Sequence, residues 1–144
     1  MNKVEDAVMC FKQGFNCAQA LVSTYGPELG IDREIALKIS AGFGAGMGRK
    51  ALVCGAVSGA CMIIGLKYGG IEMKDKAAKE KTCELVREFM KRFTLLNNSV
   101  ICKELLSRDI STLGGLKSAR DNKLIDSRCS KFVRDAAEII EQIL

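Results

Sequence analysis

The sequence predicts an all-α protein, a compact bundle of five or six helices around a buried central helix of small residues. Three observations carry this expectation. Apolar residues recur at three- and four-residue intervals along most of the chain, while no stretch alternates convincingly as a strand. A single proline suits a compact protein rather than a disordered one. Arg49 to Gly70, RKALVCGAVSGACMIIGLKYGG, is apolar, rich in glycine and alanine, and too long for an ordinary strand. At 144 residues, with 48% hydrophobic and 27% charged side chains, the chain is expected to form one domain, 1–144, with a real core.

The elements follow in order. From Asn2 to Tyr25 a stripe of Val4, Ala7, Val8, Phe11, Phe15, Ala18, Leu21 and Val22 predicts helix, with Gly14 as a kink or a boundary. Gly26-Pro27 ends it in a turn. Asp32 is a natural N-cap for a helix from Arg33 to about Ala41, with Ile35, Ala36 and Ile39 as its buried face. Next comes GFGAGMGRK, residues 42–50, whose four alternating glycines suit backbone freedom or close approach better than a helix.

The central helix is expected over Val53 to Lys67, buried because its small side chains admit another backbone, and ended by Gly69-Gly70. Asp75 caps a long helix to about Leu96, with Ala78, Leu85, Val86, Phe89, Met90 and Phe93 inward. Asn97-Asn98-Ser99 breaks the chain, and Ser99 is placed to cap a short helix through Leu106. Asp109 to Ile125 reads as irregular, with at most a turn near Leu116 to Arg120. Asp126 or Ser127 is expected to cap the last helix, packed by Phe132, Val133, Ala136, Ala137, Ile140 and Ile143.

Composition removes several functions. Lys and Arg number 22 against 17 Asp and Glu, a mild formal +5, with the charges interleaved and aromatics sparse, so nucleic-acid binding is not expected. Val53 to Leu66 is the most apolar run and falls short of the roughly 20 residues of a membrane span. The opening MNKVEDAVMC carries acids and is amphipathic, unlike a secretory signal. A cytoplasmic location is expected, in which seven cysteines are not structural disulfides. There is no histidine, which rules out histidine triads, His/Cys zinc centres and CxxCH haem attachment. The glycine-rich loop is neither a Rossmann nor a Walker fingerprint.

What remains is sulfur. Cys54 and Cys61 are seven residues apart, which puts both on one face of a helix, and Cys10 and Cys17 repeat the spacing. A cysteine in a helical stripe is most often core packing. A subset stands apart from that: Cys54 follows the glycine-rich loop, Cys102 and Cys129 each open a helix, where a thiolate is favoured, and Cys17 joins from the first helix. Four thiolates can enclose zinc or a [2Fe–2S] centre, and spacing does not separate the two. Amides of the loop, at Gly44 and Gly46, could donate to such sulfur. Arg49, Lys50, Lys103, Arg128 and Lys131 lie near the cysteines in sequence and could offset the charge, although solvated surface is the simpler account of each.

The stretches GFNCAQAL at 14–21, GFGAGMGR at 42–49, CGAVSGA at 54–60, CKELL at 102–106 and CSKFVRDAA at 129–137 together resemble the family of small redox-active proteins named for its C_GCAxxG_C_C pattern. The resemblance implies that Cys17, Cys54, Cys102 and Cys129 are the signature cysteines, with Gly55, Ala56 and Gly59 completing the motif. It also implies a relation to the iron–sulfur part of split-Soret cytochrome c, here without the haem machinery. Cys10, Cys61 and Cys83 fall outside the four and are expected to pack.

The resulting expectation is a redox protein that holds an iron–sulfur cluster, [2Fe–2S] in the first instance, on Cys17, Cys54, Cys102 and Cys129. Gly44, Gly46 and Gly55 stand beside it, and electrons pass to a protein partner. The alternatives are a thiol–disulfide oxidoreductase or redox sensor and a zinc-stabilised interaction module. A homodimer is compatible with the apolar helix stripes.

Overall fold

A computed structural model describes residues 2–144; Met1, the first residue of the expected domain, lies outside them. Among the described residues there are eight α-helices and no strand. They are α1 (Lys3–Lys12), α2 (Cys17–Tyr25), α3 (Arg33–Ser40), α4 (Gly55–Tyr68), α5 (Lys76–Asn97), α6 (Cys102–Leu106), α7 (Leu113–Asp121) and α8 (Ser130–Ile143). Gly44–Met47 also closes a turn, but Ala45 and Gly46 take left-handed dihedrals there, so it is not counted. No helix is long and apolar enough to cross a membrane.

The expected count of five or six is therefore too low, for two physical reasons. Gly14 has φ +115°, a value no helix accommodates, and it splits the first stripe into α1 and α2. The stretch read as irregular contains α7, whose N-terminus is capped by Thr112 Oγ1 accepting from the Gly115 amide at 2.9 Å. Two glycines in its first turn had hidden it. The expected caps at Asp32 and Asp75 are present, accepting from Ile35 N at 2.8 Å and Ala78 N at 3.0 Å. Ser99 instead accepts from the Ile101 amide at 2.9 Å and donates to Glu104, just ahead of α6.

The central helix is α4. Gly55, Ala56, Val57, Gly59, Ala60, Ile63 and Ile64 are all buried. Its most extensive neighbour is α2, with α5 and α8 closing further sides. Phe89 and Phe93 of α5 stack at 5.9 Å between ring centres, and Phe132 of α8 tilts onto Phe93 at 6.1 Å. Val133, Ala136, Ala137 and Ile140 of α8 complete the core. Side chains lose water along these faces at roughly 25 cal/mol per Å², which outweighs the weak intrinsic stability of such short helices. On α3 the expected buried face is corrected. Ala36 and Ser40 face the core, with Ser40 Oγ donating to the Ala36 carbonyl at 2.6 Å, while Ile35 and Ile39 are about half exposed.

The start of the last helix is corrected as well. Neither Asp126 nor Ser127 caps it. A π-helical turn, Ile125–Cys129, runs directly into α8, so Cys129 lies inside a continuous helical winding.

Candidate functional site

Each of the four signature cysteines is placed by a different local device. Cys17 opens α2, and its neighbour Asn16 forms a full capping box: the Asn16 side chain accepts from the Gln19 amide at 2.9 Å, and the Gln19 side chain accepts from the Asn16 amide at 3.0 Å. Asn16 Nδ2 also donates to the Ala41 carbonyl at 3.0 Å, which fastens the start of α2 to the end of α3. The Gly14 break thus separates Cys10 from Cys17, and the one-face reading of that pair does not hold. Cys10 is buried on α1, 3.5 Å from Ser23 Oγ.

Cys54 is the N-cap residue of α4. It is drawn toward Cys17 by the glycines after it. A Cβ on Gly55 would lie 3.1 Å from the Ala18 amide nitrogen and 3.3 Å from Cys17 Cβ, and one on Gly59 would lie 3.1 Å from Ala18 Cα. One helical turn apart, these two glycines let α2 lie directly against the start of α4. Their service is to packing, which explains why glycine is needed at both positions.

Cys102 is brought beside Cys54 by a single antiparallel bridge, Val53 to Ile101. The Cys54 amide donates to the Val100 carbonyl at 2.8 Å and the Cys102 amide to the Leu52 carbonyl at 2.6 Å. Cys129 ends the π-turn, which is tied to α6 by Arg128 donating to the Leu105 carbonyl at 3.3 Å.

The four thiols consequently share one cavity of about 570 Å³, although up to 112 residues separate the first from the last (129 minus 17). Cys17, Cys54 and Cys102 are buried and Cys129 is partly so. Proton sharing with the neighbouring Cys129 and Cys54, with burial, pushes the Cys17 thiol far up. Cys54 moves the other way: the hydrogen bond from Cys17 lowers it, burial opposes, and the Ala56 and Val57 amides at the start of α4 lower it further. Burial, then the neighbouring Cys54, Cys129 and Asp109, pushes Cys102 up to about 12. The arrangement favours the thiolate at Cys54 and the protonated thiol at Cys17 and Cys102. Among the described residues, no three Cys, Asp or Glu side chains converge on a point that would hold a single ion.

Gly46 and Gly55 line that cavity, whereas Gly44 lines the adjoining pocket, and a Cβ on it would stand 2.4 Å from the Asn16 side chain. The loop 45–49 runs through five consecutive left-handed residues, with φ of 54°, 68°, 69°, 59° and 63°. Three backbone bonds fold it back on itself: the Gly48, Ala51 and Leu52 amides donate to the carbonyls of Gly42, Ala45 and Gly46 at 3.0, 3.3 and 3.0 Å. At the start of α4 the Ala56 and Val57 amides favour the Cys54 thiolate.

The basic residues near the cysteines in sequence are mostly turned elsewhere. Arg49 and Lys50 line an adjoining open pocket, and Lys131 pairs with Asp135. Lys12 and Asp126 are the charged residues on the cavity wall, and Phe11, Phe15 and Phe132 supply its aromatic surface. No signal in the sequence marked Lys12, while Asp126 stood out only as a helix cap and the three phenylalanines only as core. Cys61 is half-buried on α4 and Cys83 is exposed on α5, so the expectation that Cys83 packs is not met. Neither lines the cavity.

The family model described as "Putative redox-active protein (C_GCAxxG_C_C)" matches residues 15–143, nearly the whole chain and all four of these cysteines. No curated protein and no solved structure matches the chain.

Proposed function

This chain belongs to the C_GCAxxG_C_C family of redox-active proteins, and on that premise we propose that it works by holding an iron–sulfur centre, of the [2Fe–2S] type, on Cys17, Cys54, Cys102 and Cys129. The observation that carries the reading is the convergence of four sequence-distant thiols on one cavity with no nitrogen ligand available. The donor set is that of a sulfur-ligated centre. Zinc requires four sulfurs about 2.3 Å from one point, and among the described residues no three Cys, Asp or Glu side chains are so gathered.

Such a centre supplies one-electron transfer. The chain's own residues do the rest. Cys54, with its thiolate already favoured by the Ala56 and Val57 amides, is the first ligand to form. Cys17 and Cys102 give up their protons on ligation, so loading releases protons and strengthens as pH rises. The apolar wall excludes water from the sulfurs, and the electron donor or acceptor in this reading is a protein partner.

The test is protein purified without oxygen, with its visible spectrum and its iron, sulfide and zinc content measured. Sulfide equal to iron is expected, with most iron lost in Cys54→Ser and retained in Cys83→Ser. Full iron in Cys54→Ser overturns the assignment, and stoichiometric zinc in a colourless protein moves it to a zinc-stabilised module.

A second reading has its own observation: Cys17 and Cys54 line the same cavity, Cys17 Cβ would stand 3.3 Å from a Cβ on Gly55 next to Cys54, and Cys17 holds the Cys54 thiol below its ordinary value. In metal-free protein this pair would close to a disulfide, two thiols losing two electrons and two protons to an added disulfide oxidant. A loss of two free thiols, mapped to Cys17 and Cys54, is the expected sign.

A further inference from the structure

We propose that the cysteine-lined cavity also binds a small, planar, mostly apolar ring bearing a carbonyl oxygen, the chemistry shared by quinones and flavins. That such a ring binds rests on the cavity alone; what use the protein makes of it rests on the redox reading above.

Size is the first argument. A two-iron, two-sulfide core adds four atoms, and a liquid water takes up about 30 Å³, so such a core leaves most of the 570 Å³ unfilled. The volume lies inside the range of about 300–1,000 Å³ common to small-molecule pockets. A purely structural ligand set would need no such space.

The walls are the second. Phe11, Phe15 and Phe132 come from α1, the α1–α2 link and α8, and Leu106 and Ile110 add aliphatic surface. Phe15 is held by the Arg33 guanidinium at 5.5 Å from its ring centre, and Phe132 by Phe93. Phe11 engages no aromatic or cationic partner among the described residues. Fixed aromatic walls of this kind suit a flat ring.

Charge is the third. Lys12 lines the cavity with no ion pair among the described residues, and it can donate to a carbonyl oxygen. Asp126 lines the same cavity. A ligand with several negative charges would meet that carboxylate, so the occupant is uncharged or carries its negative end at Lys12 alone.

The experiment titrates two probes into metal-free and into iron-reconstituted protein. The first is riboflavin, followed by quenching of its fluorescence. The second is tetramethyl-1,4-benzoquinone, whose substituted ring carbons resist thiol addition, followed by calorimetry. Saturable one-to-one binding of at least one probe is expected. Leu106→Trp should weaken it about tenfold or more by filling the cavity, and Lys12→Met about fivefold by removing one donor. Ile110→Trp replaces the first variant if that one does not fold. Which probe binds more tightly distinguishes a flavin from a quinone. No saturable binding of either probe overturns the proposal, as does undiminished binding in a folded, filled variant. Probe binding without iron uptake would sink the iron–sulfur reading and leave this one standing; iron uptake without probe binding would do the reverse.

Discussion

Gly59 of α4 lies so close to Ala18 of α2 that a side chain on it would begin 3.1 Å from the Ala18 Cα and 3.2 Å from its carbonyl oxygen. This contact sets the separation of the two helices whose first turns carry Cys17 and Cys54. A branched side chain there must push α2 away. Gly59→Val is expected to cost about 1–3 kcal/mol, as overpacking of a close-packed interior does, and to raise the Cys54 pKa by weakening its hydrogen bond from Cys17. Urea unfolding reads the first effect, and thiolate absorbance against pH the second. A variant with wild-type stability and an unmoved Cys54 titration would remove this contact from the account.

Gly46 and Gly48 are both left-handed, at φ +68° and +59°, yet their surroundings differ. A Cβ on Gly46 would stand 2.4 Å from the Leu52 amide, whereas one on Gly48 would meet nothing within 4 Å. Gly48→Ala should therefore cost only the left-handed strain, about 1–2 kcal/mol. Gly46→Ala should cost clearly more and shift the segment that leads into Cys54, with a loss of bound iron. Thermal unfolding and metal content of the two variants, side by side, decide it; equal losses would refute the steric argument.

Asn16 serves α2 as its cap and α3 as a donor to Ala41. Asn16→Ala is expected to lose about 1–2 kcal/mol and to speed alkylation of Cys17 in metal-free protein, because the first turn of α2 frays. Asn16→Asp keeps the acceptor for the Gln19 amide and should lose less. Unchanged alkylation in the alanine variant would show that Cys17 is held by other contacts.

Burial pushes the half-buried Cys61 thiol up to about 11 from its ordinary 9.0. Below pH 9 the folded and unfolded chains both keep this proton. Between pH 9 and about 11 the unfolded chain releases it first and binds fewer protons, so stability falls as pH rises. The fall attributable to Cys61 is at most about 3 kcal/mol. Cys61→Ala should be less stable at pH 8 but flatter across this window, as read from urea midpoints. An identical slope in the two proteins would mean that the Cys61 thiolate keeps its water.

Much of this molecule is determined by the sequence alone. Periodicity of apolar residues defines most helices because a helix survives in water only by burying one face, and that face has a period legible in one dimension. Asp32 and Asp75 announce their caps because capping is local, a side chain answering an amide three residues on. The burial of α4 follows from its small residues, and the lack of histidine confines site chemistry to sulfur before any coordinate is known.

Tertiary structure alone decided the rest. Whether Gly14 kinks or breaks a helix depends on what α1 and α2 pack against, and Ile35 and Ile39 face water because Ala36 and Ser40 allow the closer approach. Lys12 and Asp126 line one cavity only because the fold brings α1 and the π-turn to the same space, from positions 114 residues apart (126 minus 12). The fate of the cysteines divides along the same line. Motif and helix position single out Cys17, Cys54, Cys102 and Cys129, but their gathering on one cavity is produced by a capping box, a two-glycine contact, one antiparallel bridge and an arginine tie. Those are long-range approaches between backbones, and a one-dimensional pattern carries no distance between segments that are remote along the chain.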